Sequence, residues 1–495
     1  MENNESREGA KAKRKGSFLS SVLTLAAGSA LAQFITLALM PVITRLYDPA
    51  AFGVFAVFVA IATLITSVAN LRLAEVIVLA PTDDDADAAT ELATLVVATI
   101  ALVCGVLGAV FADRLAPIIG IEPYSVFLQL VSIAVFLGGL RQVLRRWLLR
   151  EHFNRNIAFG EISQALTDRT FTILGFFVAP GTPVGLVLGR LLGQLAAVVA
   201  LVKPLLSRKL AVGFGAKDRK RMAVIARDYQ QFPKYSWAIM VDNAAKQLPV
   251  VLVTSLLGPA IAGNYALARR VLAEPAIIMG AALGQSYYQL AVKEGGGDAV
   301  RRATVVMTSM LLKLIAIPVM VGLLCAPELF SLLFGENWRS SGWYALLLSP
   351  VFMLYLILRP LNKIFDLKMI QRAKGKFALQ NIAVITLAFI PGLFIDDAFL
   401  VLSSYSLFTS LFLLNRCLWL LGKMDVTAGE LLHACRLALV LAVAAAGLSV
   451  VSRRFWDGSD FFIILAVAGS VGLYLTLLAA TDKPVRKLLH RFLGR

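Results

Sequence analysis

Apolar runs of roughly bilayer-crossing length alternate along the chain with short polar segments rich in Lys and Arg. A helix that spans the hydrocarbon core needs about 20 mostly apolar residues. That ruler marks fourteen candidate spans, near 18–41, 51–71, 91–112, 124–144, 157–178, 184–203, 235–257, 261–285, 304–326, 341–361, 377–395, 398–420, 431–451 and 460–480. The pattern predicts an all-α integral membrane protein. Its expected divisions are a basic cytoplasmic N-terminus (1–16), a first lobe of six spans (17–203), a cytoplasmic linker (204–234), a second lobe of six spans (235–421), and a final segment (422–495) holding two further spans and a basic tail. No connection is long enough for a separate soluble domain.

Composition agrees with this pattern. Of 495 residues, 58% are hydrophobic and 16% charged, and the mean hydropathy is +0.77, too apolar for a water-soluble fold. The net charge of +17 would suit nucleic acid were the basic residues not confined to the connections between spans. Lys and Arg accumulate on cytoplasmic segments. With the N-terminus inside, the external loops hold only Arg45, Arg114, Arg339, Arg453 and Arg454. The spans hold Arg169, Arg190, Lys246, Arg269, Arg270 and Lys313, and the remaining Lys and Arg fall at or beside cytoplasmic segments. No nucleic-acid partner is therefore expected, and both termini are expected in the cytoplasm. Cys104, Cys325, Cys417 and Cys435 are far apart and form no C-x-x-C pair, which argues against a disulfide framework or metal site. The apolar run after the basic N-terminus is too long for a signal peptide and reads as a retained span.

An internal repeat organises the spans. Leu46 to Ala56 and Leu256 to Ala266 share the pattern L-x-x-P-A-x-x-G-x-[FY]-A at an offset of 210 residues. Six spans, an even number, separate the copies, so both halves enter the bilayer in one orientation. That is a parallel repeat about an axis along the membrane normal, an arrangement found in secondary transporters.

Charges within spans cost about 2.5–3.5 kcal/mol each at the bilayer centre on insertion scales, so they face protein or a watery cavity. Asp242 and Lys246, and Arg270 and Glu274, are spaced i, i+4 and can neutralise one another along a helix. Glu274 is five residues from Arg269, outside that spacing. Asp168 and Arg169 are neighbours pointing about 100° apart, so each needs a partner elsewhere. With Glu161, the acidic residues are outnumbered by Arg169, Arg190, Lys246, Arg269, Arg270 and Lys313, and the set predicts an anion-attracting interior. Arg270 lies seven residues past Gly263, roughly 10 Å in from the external surface by helical rise. Arginine suits phosphate because its planar fork donates two hydrogen bonds at once. Arg141, Arg145, Arg146 and Arg150 recur at helical spacing at the cytoplasmic end of the fourth span, where topology accounts for them, although they, with Arg72, could also receive a phosphate from the inner leaflet. Asp83, Asp84, Asp85 and Asp87 read as a solvated loop rather than a metal-binding D-x-D. Without a Walker A, G-x-G-x-x-G or Ser/His/Asp set, the chain is not expected to be an enzyme.

Several ordered strings carry a resemblance: L-M-P-V-I-T-R-L-Y-D-P-A-A-F-G-V-F-A-V-F (39–58), L-R-L-A-E-V-I-V-L-A-P-T-D-D-D (71–85), Q-F-P-K-Y (231–235), Q-L-P-V-V-L-V-T-S-L-L-G-P-A-I-A-G-N-Y-A-L-A-R-R-V-L (247–272) and P-E-L-F-S-L-L-F-G-E-N-W (327–338). Together they resemble Wzx-type polysaccharide flippases, which handle O-antigen or exopolysaccharide units, of the multidrug/oligosaccharidyl-lipid/polysaccharide exporter superfamily, over about 18–376. The resemblance implies a MATE-like pair of lobes around a cationic central cavity. It implies alternating access that moves an undecaprenyl-pyrophosphate-linked oligosaccharide from the cytoplasmic to the periplasmic leaflet of a bacterial inner membrane. By this analogy Arg270 would be a cavity cation and a polysaccharide polymerase with its chain-length machinery would be partners. Arg72-Leu73-Ala74-Glu75 departs from an expected R-Y-E and puts a role for Glu75 in doubt. No cofactor is expected; coupling to an H+ or Na+ gradient or to the membrane potential stays open. The alternatives within the superfamily are a cation-coupled multidrug exporter and a peptidoglycan-precursor flippase. A polymerase or glycosyltransferase would need a larger external loop or a catalytic domain.

Overall fold

The computed structural model describes residues 24–207, 216–294, 297–455, 459–482 and 485–486. The predicted N-terminal segment 1–16 and most of the basic C-terminal tail lie outside them. Among the described residues the chain is all helix and connecting turn, with no strand. Among the described residues eleven helices are long and apolar enough to cross a membrane, and the protein is a multi-pass membrane protein. The remaining three expected spans coincide with helices of 25, 27 and 36 residues, Asn154–Val178, Gln231–Leu257 and Pro259–Glu294. These carry most of the intramembrane charges, which interrupt their apolar runs.

Burial runs opposite to that of a water-soluble protein. The 37-residue helix Asp83–Ile119 has only 17% of its apolar window buried, with Leu102, Val106 and Val110 more than half exposed. Such a surface is stable only against lipid. At 1.5 Å per residue the helix is about 55 Å long, so it projects beyond a hydrocarbon core of about 30 Å.

The chain forms two compact units, residues 1–255 and 256–495. In the first, the helices are α1 (Thr24–Leu46), α2 (Pro49–Thr66), α3 (Leu73–Leu79), α4 (Asp83–Ile119), α5 (Val126–Arg150), α6 (Asn154–Val178), α7 (Val184–Ser207), α8 (Ala216–Asp228) and most of α9 (Gln231–Leu257). The repeat marks equivalent helix starts. Pro49 opens α2 behind the N-cap Asp48, whose carboxylate accepts from Ala51 N at 2.7 Å, and Pro259 opens the corresponding helix behind Gly258 at φ +87°.

The pairing of α6 with α7 is set by small residues. Gly185, Gly189 and Gly193 recur every four residues along one face of α7, so the backbones approach closely. A Cβ built on Gly189 would lie 2.3 Å from Thr172 Oγ1 and 2.6 Å from Asp168 O; on Gly193 it would lie 2.8 Å from Asp168 Cβ. Tyr47 adds a cross-tie, its hydroxyl donating to Thr172 O at 2.8 Å.

Asp83 and Asp84 are solvated, as expected above, but with Asp85 they form the first turn of α4, capped by Thr82, rather than a loop. Carboxylates there favour the positive end of the helix dipole. Arg150 donates to Ile77 O and Ala80 O at 3.0 and 2.7 Å, satisfying carbonyls at the end of α3, and to Asp83 at 3.0 Å. Arg221 of α8, inside the stretch read as a linker, reaches Asp84 at 2.6 Å while Met222 and Ile225 are buried.

In the second unit α10 (Pro259–Glu294), α11 (Asp298–Phe334), α12 (Glu336–Leu367), α13 (Arg372–Leu393) and α14 (Ala398–Gly422) are followed by α15 (Ala428–Phe455) and α16 (Asp460–Thr481). Ile317 and Val321 of α11 pack with Ala438, Ala445, Tyr474 and Leu478 of the last two helices. At the same junction α11 contains a π turn, Leu312–Ala316. The Tyr474 hydroxyl donates to the Lys313 carbonyl there at 2.8 Å, supplying a partner where i→i+4 bonding is interrupted.

Candidate functional site

The site begins with the glycine stripe. Residues one position further along α7 from Gly189 and Gly193 point about 100° around the helix, and these are Arg190 and Gln194. They line a cavity of about 170 Å3 within the first unit, together with Arg141 and Gln142 of α5 and Thr63 and Thr66 of α2. Gly138 of α5 keeps it open, since a Cβ there would meet Thr66 Cγ2 at 2.9 Å and Gln194 Nε2 at 3.6 Å.

Polar groups around the cavity fall into a fixed set and a set with spare capacity. Gln142 is fixed: its Oε1 accepts from Asn70 at 2.9 Å and its Nε2 donates to Thr66 O at 3.3 Å. Asp168, 7% exposed, faces Arg190 at 3.8 Å and accepts from Thr172 Oγ1 at 3.4 Å. Glu161 accepts from Ser29 and pairs with Arg145 at 3.3 Å. Arg141 Nε and Gln194 Oε1 are buried without a hydrogen-bond partner. Two guanidinium groups, Arg141 and Arg190, line the cavity; Arg145 is occupied by Glu161, and Arg169, beside Asp168 in sequence, is 4% exposed. Among the described residues the cavity lining brings together arginine, glutamine and threonine side chains and no paired nucleophile and base.

The other expected residues are distributed elsewhere. Lys246 pairs with Asp242 along α9, both about half exposed. Arg72, at φ +64° after Leu71 at φ +46°, lies over the Phe232 ring at 5.5 Å. Arg146 binds Glu75 at 2.8 Å, which gives that displaced acid a structural partner. The four residues read as a phosphate arrival site therefore separate: Arg141 lines the cavity, while Arg145, Arg146 and Arg72 face Glu161, Glu75 and the Phe232 ring. In the second unit, Tyr265, one turn before Arg269, meets Tyr405 edge-on with ring centroids 6.4 Å apart, Arg269 and Arg270 are partly buried, and the side chain of Glu274 lies outside the described residues. Lys313 is ion-paired with Asp482 beyond the end of α16, the two side chains 6% and 9% exposed. Sequence reasoning had overlooked Gln142, Gln194, Asp482 and the glycine stripe. The G-x-x-x-G-x-x-x-G spacing and the i, i+4 relation of Arg190 to Gln194 were the available signals for two of these.

A family model described as "Polysaccharide biosynthesis protein" matches residues 42–342. No curated protein matches the chain. Among solved structures, the chain is similar to "Lipid II flippase MurJ, inward closed conformation" at 12% identity and a TM-score of 0.69, covering 96% of this chain and 100% of that one. It is also similar to a structure titled "Inward-facing conformation of a multidrug resistance MATE family transporter of the MOP superfamily", at 15% identity and a TM-score of 0.61, covering 80% and 94%. At these identities the likeness is one of fold.

Proposed function

The chain belongs to the polysaccharide biosynthesis protein family, and from that premise we propose that it is a flippase. It moves an undecaprenyl-pyrophosphate-linked oligosaccharide from the cytoplasmic to the periplasmic leaflet of a bacterial inner membrane by alternating access. The observation that carries this reading is the pair of guanidinium groups lining the cavity of the first unit, Arg141 and Arg190, with Asp168 facing Arg190 at 3.8 Å. The barrier to crossing lies with the hydrated sugars and the charged diphosphate; the prenyl tail remains in lipid. Arginines inside the protein replace water around the phosphates by bidentate hydrogen bonding. Fold similarity to a lipid II flippase supports transport rather than catalysis. A polysaccharide polymerase would take the delivered unit as its substrate.

Arg269 and Arg270 are assigned to substrate binding in the second unit. The Arg269→Ala/Arg270→Ala variant, present in the membrane at wild-type amounts, is expected to export less than a tenth of the cognate glycan, measured as surface polysaccharide. Full export would remove these two residues from the site.

The similarity to a multidrug transporter supplies a second reading, a cation-coupled drug exporter. An organic cation calls for an acidic interior, and the first unit leans basic. Resistance to cationic dyes without a glycan phenotype would reverse the order. A peptidoglycan-precursor flippase would share the phosphate chemistry, and loss of viability on depletion would select it.

A further inference from the structure

We propose that the cavity in the first unit is a binding subsite for a sugar phosphate, whose phosphate replaces Asp168 as the counter-ion of Arg190. Its hydrogen bonds complete those of Arg141 and Gln194. Three observations lead there. First, Gln194 is 6% exposed and lines the cavity, yet its Oε1 accepts no hydrogen bond, and such a group costs free energy unless something donates to it. Second, Arg141 lines the same cavity with a buried, unbonded Nε, and among the described residues no carboxylate lies within salt-bridge distance of it. Third, Arg190 is held by Asp168 only at 3.8 Å, beyond good hydrogen-bond range, so a closer anion can take over the guanidinium.

These groups also specify the ligand. Arg141 and Arg190 call for a charged acceptor, whereas Gln194 Oε1 calls for a donor. A fully ionised phosphate offers acceptors alone. A phosphate joined to a hydroxyl-bearing sugar offers both. The cavity, about 170 Å3, is well above the roughly 10–15 Å3 that holds a single water. It admits a phosphate and part of one sugar ring, so the remainder of the ligand must extend out of the cavity.

This inference rests on the flippase reading only for the origin of the ligand, and the measurements separate the two. Full-length protein in nanodiscs of zwitterionic lipid is titrated calorimetrically with glucose 1-phosphate and with inorganic pyrophosphate. Arg141→Gln is expected to weaken both at least tenfold. Gln194→Leu is expected to weaken glucose 1-phosphate at least fivefold while leaving pyrophosphate within twofold. Asp168→Asn, which removes the competing carboxylate, is expected to tighten both, a gain that a purely structural role for Asp168 would not produce. Absence of binding by folded wild-type protein, or equal affinities across the variants, would overturn the proposal. Competition by phosphatidylglycerol added to the discs would also overturn it, by giving the subsite to a lipid headgroup. Export without sugar-phosphate binding would sink this inference alone; binding without export would sink the flippase reading alone.

Discussion

Lys313→Met is expected to lower the stability of the protein by about 3–5 kcal/mol, the range for removing one partner of a buried ion pair. Asp482, 9% exposed at its side chain, would lose its cation and have to remain ionised in a poor solvent or take up a proton. The effect should be concentrated at the junction of α11 with α15 and α16, where the Lys313 carbonyl also accepts from Tyr474. Thermal unfolding in detergent and protease sensitivity of the last two helices measure it. Lys313→Leu combined with Asp482→Leu should recover most of the loss, since a well-packed apolar pair replaces a buried ion pair at little cost. Equal instability of the single and double variants would place the effect in packing around the π turn instead. This result bears on function, because a lysine neutralised within the protein contributes little positive field to a substrate.

Gly189→Leu should be severely damaging to the first unit. Even a methyl group at this position would stand 2.3 Å from Thr172 Oγ1 and 2.6 Å from Asp168 O, and backbone cannot swing away as a long side chain can. Overpacking costs typically about 1–3 kcal/mol where side chains yield, and here α6 and α7 must separate as a whole. We expect little folded protein in the membrane by fluorescence-detected size-exclusion chromatography. Gly189→Ala should give folded but less stable protein, because the added methyl group presses on Thr172 and the Asp168 carbonyl. Gly447→Ala is the control: nothing lies within 4 Å of the added Cβ, so stability should be unchanged or slightly raised. Wild-type behaviour of Gly189→Leu would refute close packing as the basis of the site.

Much of the architecture was readable because lipid imposes a single rule, about 20 apolar residues per crossing, and Lys and Arg punctuate the connections. The charged helices α6, α9 and α10 were readable for the complementary reason, since charges within apolar runs are costly and conspicuous. Pairings were readable only at helical spacing, as with Asp242 and Lys246. Asp482 lies 169 residues from Lys313, and Ser29 lies 132 from Glu161; no local periodicity connects such residues. The acidic cluster at Asp83 was misread because its partners, Arg150 and Arg221, come from α5 and α8. Gln194 escaped notice because an isolated glutamine in an apolar run resembles ordinary interhelical hydrogen bonding.

The 210-residue repeat has a bearing on the ancestry of the charges. At that offset Arg141, Arg190 and Asp168 correspond to Val351, Leu400 and Ala378, while Arg269 and Arg270 correspond to Val59 and Ala60. An ancestral dimer of identical six-helix chains would have had to display every such charge twice, doubling the insertion cost and placing cations at both symmetry-related positions. Duplication followed by fusion lifts that constraint. Each half is then free to lose the charges the other keeps, so the two units come to carry different sets of charged residues at matching positions of the repeat.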